Sequence, residues 1–134
     1  MKTLTKLILV TLSIFYLCSC TTLSKSEKTT LRELRTYGIM PNEIKVKEPA
    51  VAGALNILPG VGNFYLAIGT DESSQWMYGT LNLLVWPFSI VWGIPAAAID
   101  ADTINKKETV YHYTYDRLGK SELEEIKKKY YIKD

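Results

Sequence analysis

Residues 49–105 form a long apolar segment that contains no lysine or arginine. Its charged residues are Asp71, Glu72, Asp100 and Asp102. So few charges cannot cover such a segment with a solvated surface. We therefore expect two apolar helical arms joined by the acidic turn at Asp71 and Glu72. Two hypotheses remain open. Either the arms pair in or on a membrane, or they form a core that the amphipathic flanks cover.

Both arms are interrupted by residues that break helices. Pro59, Gly60 and Gly62 divide the first arm, and each half is too short to span a bilayer by itself. Pro87 lies inside the second arm and is expected to kink it. Pro95 fits the first turn of a further helix. The segment therefore predicts a broken apolar helical hairpin.

The segment before the apolar arms predicts one short helix and one extended stretch. Thr30 and Glu33 have the spacing of a capping box, which predicts a helix over about residues 31–37. Gly38 fits the left-handed position that follows a helix end. Residues 42–48 alternate between apolar and charged side chains, as in a short extended segment or an edge strand.

The C-terminal tail, residues 106–134, is charged and rich in tyrosine. Residues 108–116 are ambiguous: the alternating tyrosines favour a strand, whereas Ile104, Tyr111, Tyr115 and Leu118 fall on one helical stripe. We favour a helix that ends at a C-cap near Gly119. A second capping box at Ser121 and Glu124 predicts a short solvated helix ending near Tyr131.

The N-terminus has the form of a secretory signal. Lys2 and Lys6 give positive charge, and residues 7–17 carry none. The run that follows, Leu17-Cys18-Ser19-Cys20, resembles a bacterial lipobox. In proteins with this pattern the Cys thiol receives a diacylglycerol and the chain is cut just before it. The resemblance implies a mature chain that begins at a lipidated Cys20, with a diacylglycerol and an N-acyl chain as its covalent groups.

The residues after the lipobox indicate a tether and a destination. Residues 20–30 are expected to form the lipidated end and a polar tether, which would keep the folded part close to the membrane. Thr21 stands where an Asp favours inner-membrane retention in well-studied Gram-negative sorting. This predicts the inner leaflet of the outer membrane rather than the inner membrane.

A periplasmic anchor also limits how the arms can lie. A two-arm hairpin places the acidic turn at one end and the flanking lysines at the other; these are Lys45, Lys47, Lys106 and Lys107. If the turn crossed the inner membrane, the lysines would remain outside, against the positive-inside bias. We therefore expect the hairpin not to cross that membrane.

The run Gly60-Val-Gly62-Asn63-Phe64-Tyr65-Leu66-Ala67 resembles the Gly-x-Gly-x-x-Phe-Tyr-Leu-Gly signature of TM2-type domains. It departs from that pattern at Asn63, where a His is common, and at Ala67, which replaces the last Gly. The resemblance implies a small membrane module of paired helices and no chemistry. We assign a packing and turn role to Pro59, Gly60, Gly62, Phe64 and Tyr65.

The sequence offers little for catalysis. His112 is the single histidine, and Asp116 lies within reach on a helix, but no nucleophile stands out beside them. No Cys or His cluster has zinc spacing. Charges balance outside the signal, with 14 basic and 14 acidic residues once Lys2 and Lys6 are removed, which argues against a nucleic-acid surface. We expect no enzyme activity, no cofactor beyond the lipid, no metal and no nucleic-acid partner.

These features together predict a mainly α fold with at most one or two short strands. They predict a non-enzymatic, membrane-anchored envelope lipoprotein with a structural or interaction role. Membrane lipid is its expected partner, with an envelope protein or a second copy of the chain as further candidates. One alternative is a subunit of a larger envelope complex whose apolar arms pack on partner protein; a remote one is a small hydrolase. The expected regions are the signal peptide (1–19), the lipidated tether (20–30), the short helix and extended segment (31–48), the hairpin (49–105) and the tail (106–134).

Overall fold

The computed structural model describes residues 21–131, and six helices make up most of this range. Their bounds are α1 Lys25–Thr36, α2 Pro49–Leu55, α3 Val61–Ala67, α4 Ser74–Leu84, α5 Ile90–Thr114 and α6 Arg117–Tyr131. The prediction of a mainly α fold is confirmed, and residues 21–131 contain no strand. The predicted signal peptide and Cys20 lie outside the described residues.

Each arm of the apolar segment folds back on itself. Helices α2 and α3 are antiparallel, because the backbone N–H of Glu48, just before α2, donates to the Tyr65 hydroxyl near the end of α3. Helices α4 and α5 are also antiparallel, because Asn82 near the end of α4 accepts a hydrogen bond from Trp92 near the start of α5. We call residues 49–105 the apolar module.

Helix α2 also packs along α5 in the antiparallel sense. Gly53 lies against Ile94 and Ala98, and the Asn56 side chain lies against Gly93. The turn at residues 56–60 and the connection at residues 85–89 are therefore at the same end of the module. Helix α3 lies between its neighbours and contacts α2, α4 and α5.

The predicted separation of charge between the ends of a two-arm hairpin is wrong. Glu72 of the acidic turn forms an ion pair with Lys107 of α5. Lys47 donates from its ammonium group to the carbonyl oxygens of Tyr65 and Ile68, at the end of α3. Because the first arm reverses at residues 56–60, the acidic turn returns to the end of the module where the flanking lysines lie.

The two prolines of the second arm act differently from the prediction. Pro87 does not kink a helix; it lies in the connection between α4, which ends at Leu84, and α5, which begins at Ile90. Pro95 is not in the first turn but inside α5. Pro95 has no N–H for the carbonyl of Val91, so its cost there is one lost helical hydrogen bond close to the helix start.

Helix α1 begins six residues earlier than predicted. Its capping box uses Ser24 and Glu27, whose side chains each accept a backbone N–H from the other residue. Part of the predicted tether, from Lys25 on, is therefore helical. The end of the helix agrees with the prediction, because Gly38 follows it with a φ of 84°.

The segment at residues 42–48 is not a strand. Its backbone is held by side chains of α5, since Ile44 N–H donates to the Thr109 hydroxyl. The N–H groups of Val46 and Lys47 both donate to Asn105 Oδ1, and Asn105 Nδ2 donates to the Lys47 carbonyl. The Asn105 side-chain amide thus supplies hydrogen bonds that a neighbouring strand would supply to this backbone in a sheet.

The ambiguous residues 108–116 are helical as far as Thr114, which agrees with the favoured alternative. The start predicted for the next helix is wrong, because α6 already begins at Arg117, ahead of Ser121, whereas its end at Tyr131 agrees with the prediction. Gly119 is not a C-cap; it lies buried within α6, where a Cβ would collide with the His112 backbone. Buried Leu34, Ile39 and Tyr113 join α1 to α5, with Leu123 and Ile126 of α6 packed on them.

Candidate functional site

The structure places the residue after the predicted lipidation site inside the fold. Cys20 itself lies outside the described residues, but Thr21 is buried. Its backbone N–H donates to Asp100 Oδ1 over 2.6 Å, across 79 residues of sequence. Thr21 therefore belongs to the folded module and not to a free tether.

Asp100 is 2 % exposed. Gln75 Nε2 donates to Asp100 Oδ2 over 2.8 Å and to the Thr21 hydroxyl over 2.9 Å. Burial raises the pKa of the Asp100 carboxyl above its usual range, while the hydrogen bonds from Gln75 and Thr21 act in the opposite direction. Asp100 therefore joins α4, α5 and the N-terminal segment.

This contact is one end of a chain of buried side-chain amides. Asn63 Nδ2 donates to Gln75 Oε1 over 2.7 Å, and Asn82 Nδ2 donates to Asn63 Oδ1 over 2.8 Å. Trp92 Nε1 donates to Asn82 Oδ1 over 3.3 Å. The indole can only donate and an ionised carboxylate can only accept, so Trp92 and Asp100 fix the direction of every amide between them. This amide chain joins α3, α4 and α5 through the module.

The predicted packing motif lies where three helices approach most closely. Gly60 has a φ of 81°, and a Cβ there would collide with the carbonyl of Gly79 on α4. A Cβ on Gly62 would collide with the carbonyl of Ala52 on α2. The Phe64 ring occupies the space beside Gly79, where that residue has no side chain.

The other two motif residues lie at opposite ends of α3. Pro59 is partly buried in the turn before the helix. The Tyr65 hydroxyl accepts the N–H of Glu48, and its ring lies 4.6 Å from the Lys47 ammonium. Lys47 is itself 8 % exposed, and burial lowers the pKa of its ammonium group. Lys47 thus holds the end of α3 to the start of α2.

Large apolar side chains lie on the outside of the module. Seven of them surround the connections at residues 56–60 and 85–89, each between 58 % and 80 % exposed. We call this group the apolar tip: Ile57, Leu58, Leu83, Leu84, Trp86, Phe88 and Val91. Transfer of side chains exposed to this extent from water to hydrocarbon is favourable by about 1–2 kcal/mol each. Within residues 21–131, no helix has both the length and the apolar character needed to cross a membrane.

A polar cleft lies at the other end of the module. Its volume is about 760 Å³, and its walls come from the start of α1, the α3–α4 loop and the C-terminal half of α5. Glu27, Glu72 and Glu108 line it together with Lys107. Burial raises the pKa of Glu108, and the negative charge of Asp71 adds to the rise. No set of three His, Cys, Asp or Glu side chains in the described part of the chain is placed to hold a metal ion.

His112 lies apart from this cleft. Its Nδ1 is 3.0 Å from Asp116 Oδ2, which agrees with the predicted helical pairing, and its Nε2 is 3.6 Å from Glu122. Both ring nitrogens therefore face carboxylates. The imidazole joins α5 to α6 in this arrangement.

The buried amides are the residues that sequence reasoning missed. A signal was present, because Gln75, Gly79 and Asn82 follow one another at four and three residues and share one face of α4. That stripe of small and polar residues is the side of the apolar helix that is buried.

Comparisons of the chain with protein-family models, with curated proteins and with solved structures found no match. The likeness to TM2-type domains therefore stays a prediction.

Proposed function

We propose that this chain is a non-enzymatic lipoprotein of the bacterial cell envelope, anchored by acyl chains on Cys20. The observation that carries the proposal is the apolar tip, a surface of large apolar side chains without charge. A lipid-anchored protein that presents such a surface has two attachments to the membrane, and two together hold far better than one. The burial of Thr21 supports the proposal, since Thr21 directly follows the predicted lipidation site and is held against the module.

The role that we propose for the rest of the chain is structural or interactive. Tyr111 of α5 and Tyr115 just after it are exposed, with their ring centroids 5.6 Å apart. Tyr131 at the end of α6 is exposed as well. Exposed tyrosines combine an apolar ring with a polar hydroxyl and are enriched at protein interfaces. They favour the second candidate function, a subunit of an envelope assembly, whose partner would contact α5 and α6.

Cys20→Ala is expected to abolish acylation and processing. The physical reason is that the thiol is the acceptor of the diacylglycerol in proteins with a lipobox, and cleavage follows that transfer. Incorporation of labelled fatty acid and the intact mass of the purified chain measure both steps. Cys18→Ala is the matched control and should leave both unchanged. Acylation and normal cleavage in Cys20→Ala would reject the proposal.

The lipidated chain is expected to fractionate with outer-membrane markers. Thr21 follows the lipidated residue, and an Asp there is what favours inner-membrane retention in well-studied sorting. Separation of the two membranes on a density gradient, with the chain detected by an antibody, measures this. Recovery mainly with inner-membrane markers would contradict the expected location and leave the lipid anchor intact.

A further inference from the structure

Helix α4 of the apolar module has small and polar residues on its buried side and large apolar residues on its exposed side. On α4 the buried positions are Gln75, Gly79 and Asn82, while Met77 and Leu84 are exposed. A helix packed in water shows the reverse pattern, because large apolar side chains gain most from burial. Helices packed in lipid are held together by small residues and interhelical hydrogen bonds, and they present large apolar side chains to acyl chains.

Backbone N–H groups at the apolar tip find their partners within the chain. In the connection at residues 85–89, the N–H groups of Trp86 and Phe88 donate to the carbonyls of Leu83 and Val85, and Pro87 has no N–H. The exposed hydroxyl of Thr80 donates to the carbonyl of its own helix at Trp76. Backbone that enters hydrocarbon must find such internal partners, since no water is present there.

The exposed apolar side chains occur on several helices of the module. Val51 on α2, Met77 on α4 and Ile99 on α5 are each between 43 % and 56 % exposed, in addition to the apolar tip. One partner protein docks on one face, whereas a lipid phase surrounds the whole module. The distribution over three helices therefore favours lipid as the occupant.

The length of α4 is close to the thickness of the hydrocarbon part of one leaflet. Helix α4 has 11 residues, which corresponds to a length of about 16 Å at about 1.5 Å per residue. Half of a hydrocarbon core of about 30 Å is about 15 Å. Glu72 precedes the upper end of α4, and the apolar tip surrounds its lower end. The charge of Glu72 thus lies at the level where the hydrocarbon of the leaflet would give way to headgroups.

The predicted lipid attachment is at the upper end of the same layer. Thr21 contacts Gln75, the second residue of α4, and Asp100 of α5. Because Cys20 is joined to Thr21 by one peptide bond, acyl chains on Cys20 would be attached one residue away from this contact. Acyl chains that start there would run beside the module towards the apolar tip.

We propose that the apolar module inserts into a single leaflet, with the apolar tip near the bilayer midplane and the Thr21–Asp100 contact at headgroup level. This inference rests on the proposed function, because the same membrane holds the acyl chains of Cys20. Helices α1 and α6, with the polar cleft, stay in the aqueous phase above the leaflet.

Two tryptophans at different heights provide the test. Trp76 lies at the upper end of α4 and Trp86 at the apolar tip, and both are more than half exposed. The purified full-length lipoprotein is reconstituted in phosphatidylethanolamine–phosphatidylglycerol vesicles that contain phospholipid brominated either near the headgroup or near the acyl-chain end. Trp76→Phe and Trp86→Phe are compared with the wild type, so that Trp92 is kept in all three chains.

We expect Trp86→Phe to remove the fluorescence that deep bromine quenches and Trp76→Phe to remove the fluorescence that shallow bromine quenches. The deep-to-shallow quenching ratio of Trp86 should be at least about twofold above that of Trp76, since a helix of about 16 Å separates them. Phe88→Lys should abolish the deep component, because a charge at the midplane is costly. Leu118→Lys, at an exposed position of α6, is its matched control and should leave the deep component unchanged.

Two other results would overturn the inference. Quenching of both tryptophans by shallow bromine alone would mean that the module lies in the headgroup region. No quenching of either would mean that protein, or a second copy of the chain, covers the apolar tip. If the protein is acylated but Trp86 is not quenched, the insertion is rejected and the lipoprotein assignment stands. If the purified chain carries no acyl groups but Trp86 is quenched by deep bromine, the lipoprotein assignment is rejected and the insertion stands.

Discussion

Gly60→Ala is expected to lower the free energy of unfolding by about 3–4 kcal/mol, because two penalties act at this residue. Its φ of 81° lies in the left-handed region, which costs an L-residue about 1–2 kcal/mol. The added methyl group also collides with the Gly79 carbonyl, so α3 and α4 must move apart. Chemical denaturation of the purified chain in mild detergent, followed by far-UV circular dichroism, measures the change.

Gly38→Ala is the matched control. Gly38 has nearly the same φ, 84°, but a Cβ there would meet no atom within 4 Å. The expected loss is therefore the backbone penalty alone, about 1–2 kcal/mol. Equal losses in the two variants would show that the close approach of α3 and α4 contributes nothing to stability.

Asn63→Leu is expected to lower the free energy of unfolding by about 4 kcal/mol, because it interrupts the amide chain in the middle. The substitution conserves volume approximately, but it leaves Gln75 Oε1 and Asn82 Nδ2 buried without their partner. Each unsatisfied group costs about 1–3 kcal/mol. Denaturation under the same conditions measures the loss. Thr80→Val, on the exposed side of α4, is the polar-to-apolar control, with an expected change within about 0.5 kcal/mol.

Asn63→Asp separates hydrogen bonding from packing. An ionised carboxylate can accept from Asn82 but cannot donate to Gln75, whereas a protonated carboxyl does both. Burial favours the protonated form in the folded state, so the folded variant binds a proton more tightly than the unfolded chain. Its stability relative to the wild type should therefore rise as the pH falls. A deficit that stays constant between neutral and mildly acidic pH would contradict the assigned role of the Asn63 amide as a donor.

The amide chain also explains how a module with so few large buried side chains keeps one arrangement. The cluster buried between α2, α3 and α5 consists of Ala52, Leu66, Ala97, Ala101 and Ile104, of which three are alanine. Small residues permit close packing but do not by themselves fix which helix faces which. A directed series of hydrogen bonds from Trp92 to Asp100 specifies the partners, because each amide fits in one orientation.

Local sequence was sufficient for the helical class and for most chain breaks. Pro59 with Gly60 lies in one connection at the apolar tip, as predicted, since these residues oppose a continuous helix through their own backbone. Pro87 lies in the other connection, where it separates two helices instead of kinking one as predicted. Gly38 ends α1 for the same kind of reason. The helix instead begins with the capping box at Ser24 and Glu27, which has the same spacing as Thr30 and Glu33, so spacing alone does not identify the helix start.

Only the tertiary structure decided which side of each helix is inside. The spacing of Gln75, Gly79 and Asn82 puts them on one face, but hydrophobicity alone would assign that face to solvent. It is buried because Gly79 admits Phe64 and the backbone at Gly60, and because the amides of Gln75 and Asn82 both meet Asn63. In the same way Asp100 and Thr21 meet across 79 residues. A helical period fixes which residues share a face, whereas burial of that face depends on partners that are distant in sequence and brought together by folding.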